Sequence, residues 1–241
     1  MAKLGVNIDH IATLRQARLE FDPDPIRAAL ICEKAGVNSI VAHLREDRRH
    51  INDRDVKNLK KAIVRARFNL EMSLAKDVVQ VACRVKPDQA TLVPERRQEV
   101  TTEGGLDVAR SPKKIERVVK TLQDKKIEVS LFIDPVKKQI DAVKKTGAKA
   151  IELHTGAYDR ATTRLRTEKE FHKIKDMAIY AQKCGLTVHA GHGLKYHNTA
   201  RIANIKGMGE LNIGHSIISY AVFYGLEKAV KDMLKVIGGK R

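Results

Sequence analysis

The sequence predicts an α/β protein, a single (β/α)8 barrel, on three observations. Eight short apolar stretches alternate with longer segments that read as helices or as loops followed by helices. Such alternation implies a parallel sheet with helices outside it. The chain has 241 residues, a length that suits one eight-unit barrel, although two small domains would also fit. Polar residues gather where the apolar stretches end, and barrel enzymes carry their chemistry at the carboxyl ends of the strands. No linker, low-complexity tract or fixed-period repeat interrupts the chain, so one domain over residues 1–241 is expected.

Strand one is Leu4 to Asp9, and His10 to Arg18 reads as a polar connection. Asp24-Pro25 starts a helix, with Asp as N-cap and Pro at the first helical position, and Gly36 stops it. Strand two opens at Ser39 as SIVAHL and runs into the charged turn REDRRHI. Alternation puts Val41, His43 and Arg45 on one face and Ala42 and Leu44 on the other. Asn52-Asp53 begins a Lys-rich helix to about Arg65. Strand three is Arg67 to Met72, and the helix from Lys76 to Val85 ends before Pro87. Strand four, Gln89 to Val93, opens into a polar segment from Pro94 to Pro112. That length suits a lid or binding loop, with Gly104-Gly105 as a candidate hinge.

A helix from Pro112 to about Asp124 leads to strand five, Glu128 to Ile133, closed by Asp134-Pro135. A helix to about Thr146 and a turn at Gly147 lead to strand six, Ala150 to His154. The loop TGAYDRATTRLR precedes a helix from about Glu168 to Lys183. Strand seven is Leu186 to Ala190, followed by Gly191-His192-Gly193 and a short helix from Asn198 to Ala203. Strand eight is Glu210 to Ile213, followed by Gly214-His215 and one last helix from Ser216 to Val236. The full expectation is a single (β/α)8 TIM barrel with a long loop after strand four and extra short helices.

Composition narrows the class. Hydrophobic residues make up 43% of the chain, enough to fill a core. No apolar run approaches membrane-spanning length, and MAKLGVNIDH has no apolar signal region. A soluble, cytoplasmic protein without a membrane partner is expected. Cys32, Cys83 and Cys184 are odd in number, far apart and outside any CxxC, which suits buried thiols in a reducing compartment. Lys plus Arg is 46 against 29 Asp plus Glu, a net charge of +17 that raises nucleic acid as a partner. Much of the Lys falls on helix-like segments, and neither a zinc finger nor an aromatic RNA-binding motif accompanies it. Solvated outer helix faces account for it better than a specific nucleic-acid site.

The strand ends hold the chemistry. Strand one supplies Asn7, Asp9 and His10, strand two His43 and Arg45, and strand three Asn69 and Glu71. Strand six supplies Glu152 and His154, strand seven His192, and strand eight Asn212 and His215, while the amino ends are read as lacking such a set. Buried Glu and His are costly unless paired, so their convergence needs a reason. AGHGL and NIGHS put glycine beside helix starts in the two loops that often bind phosphate in barrels. No strand core ends in Lys for a Schiff base. His189 and His192 are three apart and so do not form a same-face metal pair, which puts His189 off the catalytic face. No Walker or Rossmann signature is present. What remains is Glu and His acid–base chemistry on a phosphorylated carbonyl compound. An isomerase or epimerase using Glu71 and His192 on one sugar phosphate, and a non-enzymatic nucleic-acid binder, are the competing readings.

GVNIDHIATLRQAR, HLREDRRHI, NLEM, LVPERRQEVTTEGGLDV, IELHTGAY, AGHGL-YHN and LNIGHSII together span Gly5 to Ile218. In these motifs the chain resembles the pyridoxine 5′-phosphate synthase family. The resemblance implies condensation of 1-deoxy-D-xylulose 5-phosphate with 3-amino-2-oxopropyl phosphate through an imine, without a metal or organic cofactor, in a homo-octamer built from dimers. It implies general-base roles for His43 and Glu71, a proton donor in His192 and transition-state stabilisation by Glu152. It assigns Asn7, Arg18, Gly193, Gly214 and His215 to the aminoketone phosphate, and Asp9, His10, Arg45, His50 and Thr101 to the deoxyxylulose phosphate. The loop after strand four resembles the family's closing lid. The chain departs from the family at Ser219-Tyr220, where a small residue followed by Arg is expected, at His189, where Asn is expected, and in its high Lys content.

Overall fold

Eight parallel strands close on themselves in sequence order in the computed structural model, which describes residues 1–95 and 104–238. They are β1 (Lys3–Asn7), β2 (Ser39–Leu44), β3 (Arg67–Met72), β4 (Gln89–Leu92), β5 (Glu128–Ile133), β6 (Ala150–His154), β7 (Thr187–Gly191) and β8 (Met208–Ile213), with β8 pairing β1. Every strand falls within a residue or two of its expected bounds. Pairing sets His43 opposite Glu71, and Glu152 opposite His189.

The strands bury both faces, as a parallel barrel must. Leu4, Val6, Ile40, Leu44, Phe68, Leu70, Leu131 and Ile151 belong to the apolar layer under the helices. The alternate positions face the barrel interior, and there the residues are polar instead of the branched aliphatics usual in such barrels. Hydrogen bonds that skip a strand run across that interior, among them Ser39 to Glu210 at 2.6 Å and Asn212 to Glu152 at 2.6 Å. The amino ends therefore carry a polar set of their own, contrary to expectation. Ser39, Arg67, Gln89 and Glu128 are the first residues of their strands, and Arg67 pairs with Glu128 at 2.6 Å. His189 also faces inward, where burial followed by opposing nearby charges brings its pKa down to about 4. Its placement corrects the expectation that it lies on the other face.

The helices follow their caps. The stretch read as a polar connection is a helix, α1 (Asp9–Arg18), which starts directly off β1. Its Arg15 reaches in to form a buried two-pronged ion pair with Asp55, both bonds 2.8 Å. Asp24 caps α2 (Pro25–Ala35), and Gly36 closes it at φ 98°. Asn52 and Asp55 form a capping box at the start of α3 (Asp53–Ala62). The outer layer continues with α4 (Lys76–Val85), α5 (Pro112–Gln123), α6 (Lys137–Val143), α7 (Gly156–Asp159), α8 (Arg164–Lys183) and α9 (Thr199–Ala203). The single last helix expected is two, α10 (His215–Tyr224) and α11 (Leu226–Gly238). Gly225 between them sits at φ 83°, a conformation glycine adopts without penalty. Tyr220 stacks between Tyr196 and Tyr224, with ring centroids 4.7 and 4.3 Å away, which is the structural role of that departure from the family. No helix among the described residues is long and apolar enough to cross a membrane.

Candidate active site

The carboxyl ends of the strands carry several groups of hydrogen-bonded polar side chains. β1 runs straight into α1, which places Asp9 in the first helical turn, where the helix dipole favours its charge. Asn7 Nδ2 donates to Asp9 Oδ2 at 2.8 Å and reaches Glu71 Oε2 at 3.4 Å. The backbone N–H of His43 donates to Asp9 Oδ1 at 2.8 Å. Atoms of Asp9, His43 and Glu71 lie within 4.8 Å of one another. Protein donors engage both Asp9 oxygens, which fixes this carboxylate between Asn7 and the His43 backbone. The ring of His43 is hydrogen-bonded through Nε2 to Glu95 Oε1 at 3.0 Å. Glu95 went unnoticed in the sequence, because one Glu in the polar run PERRQE carries no periodic signal.

Glu71 and Glu152 both project into this interior. Asn212 holds Glu152, and a side chain on Gly191 would overlap the Glu152 carboxylate. Burial, reinforced by the charges of Glu152 and Asp9 and opposed by the Asn7 hydrogen bond, pushes Glu71 well above the usual carboxylate range. Burial also pushes Glu152 up to about 7, against its hydrogen bond from Asn212 and together with the charge of Glu210. Like charges in one low-dielectric space resist joint ionisation, which favours the protonated form of both groups. One carboxyl group that gives a proton beside one that takes it is the arrangement acid–base chemistry needs.

His192 lies across the site in the turn after β7. Its φ of 73° is unusual for any residue but glycine. Thr155 Oγ1 pins that turn by donating to the carbonyls of Gly191 and His192 at 2.8 and 2.6 Å. The His192 ring meets His154 edge-on at 5.0 Å. Burial first, then the neighbouring charges of His154 and Arg160 set against Asp159, bring His192 down to about 4. His154 is itself tied to Asp134 at 3.0 Å through Nδ1, and Asp134 also accepts the N–H of Gly105 at 3.1 Å. His154 was placed at a strand end by the sequence, but its partner was not foreseen.

Gly193 and Gly214 keep backbone close to the site. A Cβ on Gly193 would stand 2.8 Å from Asp159 Cβ, and one on Gly214 3.0 Å from Asn7 Cβ. His215 begins α10, and its ring lies 5.1 Å from that of His10. Free N–H groups at such a helix start suit an anion. Burial lowers the pKa of His10 and of His50. His50 lies 6.1 Å from His43, ring to ring, and accepts the Ile51 N–H through Nδ1 at 2.8 Å. Arg45 is buried and aimed at Asp47, 3.2 Å away. Arg18 is exposed in the last turn of α1. Thr101 lies outside the described residues.

A polar barrel interior with carboxyl and imidazole groups gathered at the carboxyl ends of the strands defines the protein as a (β/α)8 enzyme. The family description that matches residues 4–239 is "Pyridoxal phosphate biosynthesis protein PdxJ". Relatives named pyridoxine 5′-phosphate synthase include those of Coxiella burnetii (strain RSA 493 / Nine Mile phase I), 54% identical over 99% of both chains, and Aquifex aeolicus (strain VF5), 52% identical over 98% of this chain and 99% of that one. The chain belongs to the PdxJ family. Among solved structures, KGPDC from Streptococcus mutans aligns with a TM-score of 0.69 at 14% identity, over 99% of this chain and 98% of that one. Phosphoribosyl anthranilate isomerase from Thermus thermophilus aligns with a TM-score of 0.61 at 12% identity, over 99% of this chain and 100% of that one. At those identities the likeness concerns the fold alone.

Proposed function

We propose that the protein is a pyridoxine 5′-phosphate synthase. It condenses 3-amino-2-oxopropyl phosphate with 1-deoxy-D-xylulose 5-phosphate and releases phosphate and water. The observation that carries this reading is the set of Glu71, Glu152, His43 and His192 around one interior at the carboxyl ends of the strands. The amine of one substrate adds to the ketone of the other, and loss of water gives an imine. Phosphate loss, water addition and ring closure then need protons moved at several carbons and oxygens. His43 and Glu71 take protons, His192 gives one, and Glu152 with its neighbouring Asn212 stabilises developing charge. His192 can hold the proton it gives once a substrate phosphate dianion nearby favours its charged form. Asn7, Arg18, Gly193, Gly214 and His215 hold the aminoketone phosphate. Asp9, His10, Arg45, His50 and Thr101 hold the deoxyxylulose phosphate. Imine formation and proton transfer are within reach of carboxyl and imidazole groups, so the reading calls for no metal or organic cofactor.

The same reading makes residues 1–241 one cytoplasmic domain that assembles as an octamer built from dimers. Support for self-association comes from exposed apolar side chains on α1, the loop after it and α10: Leu19 is 84% exposed, Phe21 87% and Phe223 79%. α1 and α10 are in contact with each other.

The test supplies the two substrates together and singly to the purified protein. Phosphate release and product mass are followed. Pyridoxine 5′-phosphate formed only with both substrates supports the reading. Turnover of one sugar phosphate alone moves the protein to the isomerase class, and no product from a folded oligomer removes the proposal.

A further inference from the structure

We propose that Glu95 is a positioning residue that fixes the tautomer and orientation of the His43 ring. The inference rests on His43 acting as a base in the proposed reaction. The two side chains are 8% and 5% exposed and meet at 3.0 Å through His43 Nε2 and Glu95 Oε1. The other carboxylate oxygen accepts the backbone N–H of Glu46 at 2.9 Å. Glu95 therefore grips the β2 segment at two points, on the ring and just beyond it. Two residues earlier the chain is fastened to β3 by the Val93 N–H on the Met72 carbonyl at 2.9 Å. The backbone of His43 is held separately by Asp9. Ring and carboxylate thus have little freedom to part.

The chemistry follows from the donor count. A neutral imidazole that donates Nε2–H to Glu95 keeps its lone pair on Nδ1, which becomes the basic atom. A carboxylate at that distance also favours the imidazolium that forms when the base has taken its proton, as in the carboxylate–histidine pairs of acyl-transfer enzymes. The other ionisable groups around His43 are Asp9, Glu71, Arg45 and His50. Asp9 is engaged by Asn7 and the His43 backbone, Glu71 by Asn7, and Arg45 by Asp47. Among the described residues, Glu95 is the carboxylate hydrogen-bonded to the His43 ring.

The experiment compares wild type, Glu95→Gln and Glu95→Ala in two readouts. Ring-nitrogen NMR with 15N-histidine, assigned by difference against His43→Asn, reports tautomer and titration without turnover. Steady-state kinetics across pH report catalysis. Wild type is expected to show the Nε2–H tautomer. Glu95→Gln should keep that tautomer and titrate at lower pH, and Glu95→Ala should lose the preference. Glu95→Ala should lower kcat by about 10- to 100-fold with a small change in KM, part of the roughly 10²–10⁴-fold a placed base supplies. Its acid limb should move to lower pH, because the charge that favoured protonated His43 is gone. An unchanged His43 ring in Glu95→Ala overturns the proposal, and so does a changed ring with unchanged kcat and pH profile. A changed ring in a protein whose wild type makes no product upholds the Glu95 contact and places the failure with the reaction.

Discussion

Glu71 and Glu152 are held where burial works against their charge, and that has a cost in stability. A carboxyl group whose pKa is raised in the folded state supports the fold while protonated, below its unfolded value of about 4.3. The support is lost as pH rises through the folded value, about 7 for Glu152. Glu152→Gln keeps the shape and removes the ionisation. It should therefore raise stability by about 1–3 kcal/mol at pH 8 and change it little at pH 4, read as the pH dependence of Tm. Glu71→Gln should gain stability in the same direction and lose about 10²–10⁴-fold in kcat, measured by phosphate release. A variant that is both less active and more stable at alkaline pH identifies a group kept for chemistry.

Among the elements, the turn after β7 and the start of α1 carry the strongest constraints. A side chain on Gly191 would press into the Glu152 carboxylate. Gly191→Ala should lower kcat by about 100-fold through displacement of Glu152, with the barrel still folded by circular dichroism. α1 depends on Arg15, whose guanidinium is buried against Asp55 at 2.8 Å. Asp55→Ala leaves that cation unpaired and removes one half of the capping box of α3. Denaturant unfolding should show a loss of about 3–5 kcal/mol. These elements show where periodicity misleads. DHIATLRQAR mixes polar and apolar residues without a clean stripe because its inward face is anchored by an ion pair.

For the whole molecule, the two open properties are assembly and charge. Leu19→Ser combined with Phe223→Ser removes exposed apolar surface just after α1 and near the end of α10. Sedimentation should show the double variant in smaller species than the wild type, with secondary structure retained. The net charge of +17 should give nucleic-acid binding that falls steeply between 50 and 200 mM salt and lacks sequence preference, the behaviour of surface lysine.

By itself the sequence determined the eight strands, most helix starts and stops, and the positions of His43, Glu71, Glu152 and His192 at strand ends. Those features are local: strand alternation, N-caps and glycine stops are written within a few neighbouring residues. Tertiary structure alone decided who meets whom. Glu95 reaches His43 across 52 positions, Asn212 reaches Glu152 across 60, and Glu210 reaches Ser39 across 171. It also decided that His189 faces inward and that the amino ends are polar, because strand alternation names two faces without saying which one the barrel encloses. The protonation of Glu71 and Glu152 belongs to the same level. It depends on burial and on like charges brought together from different strands, and no stretch of sequence contains both.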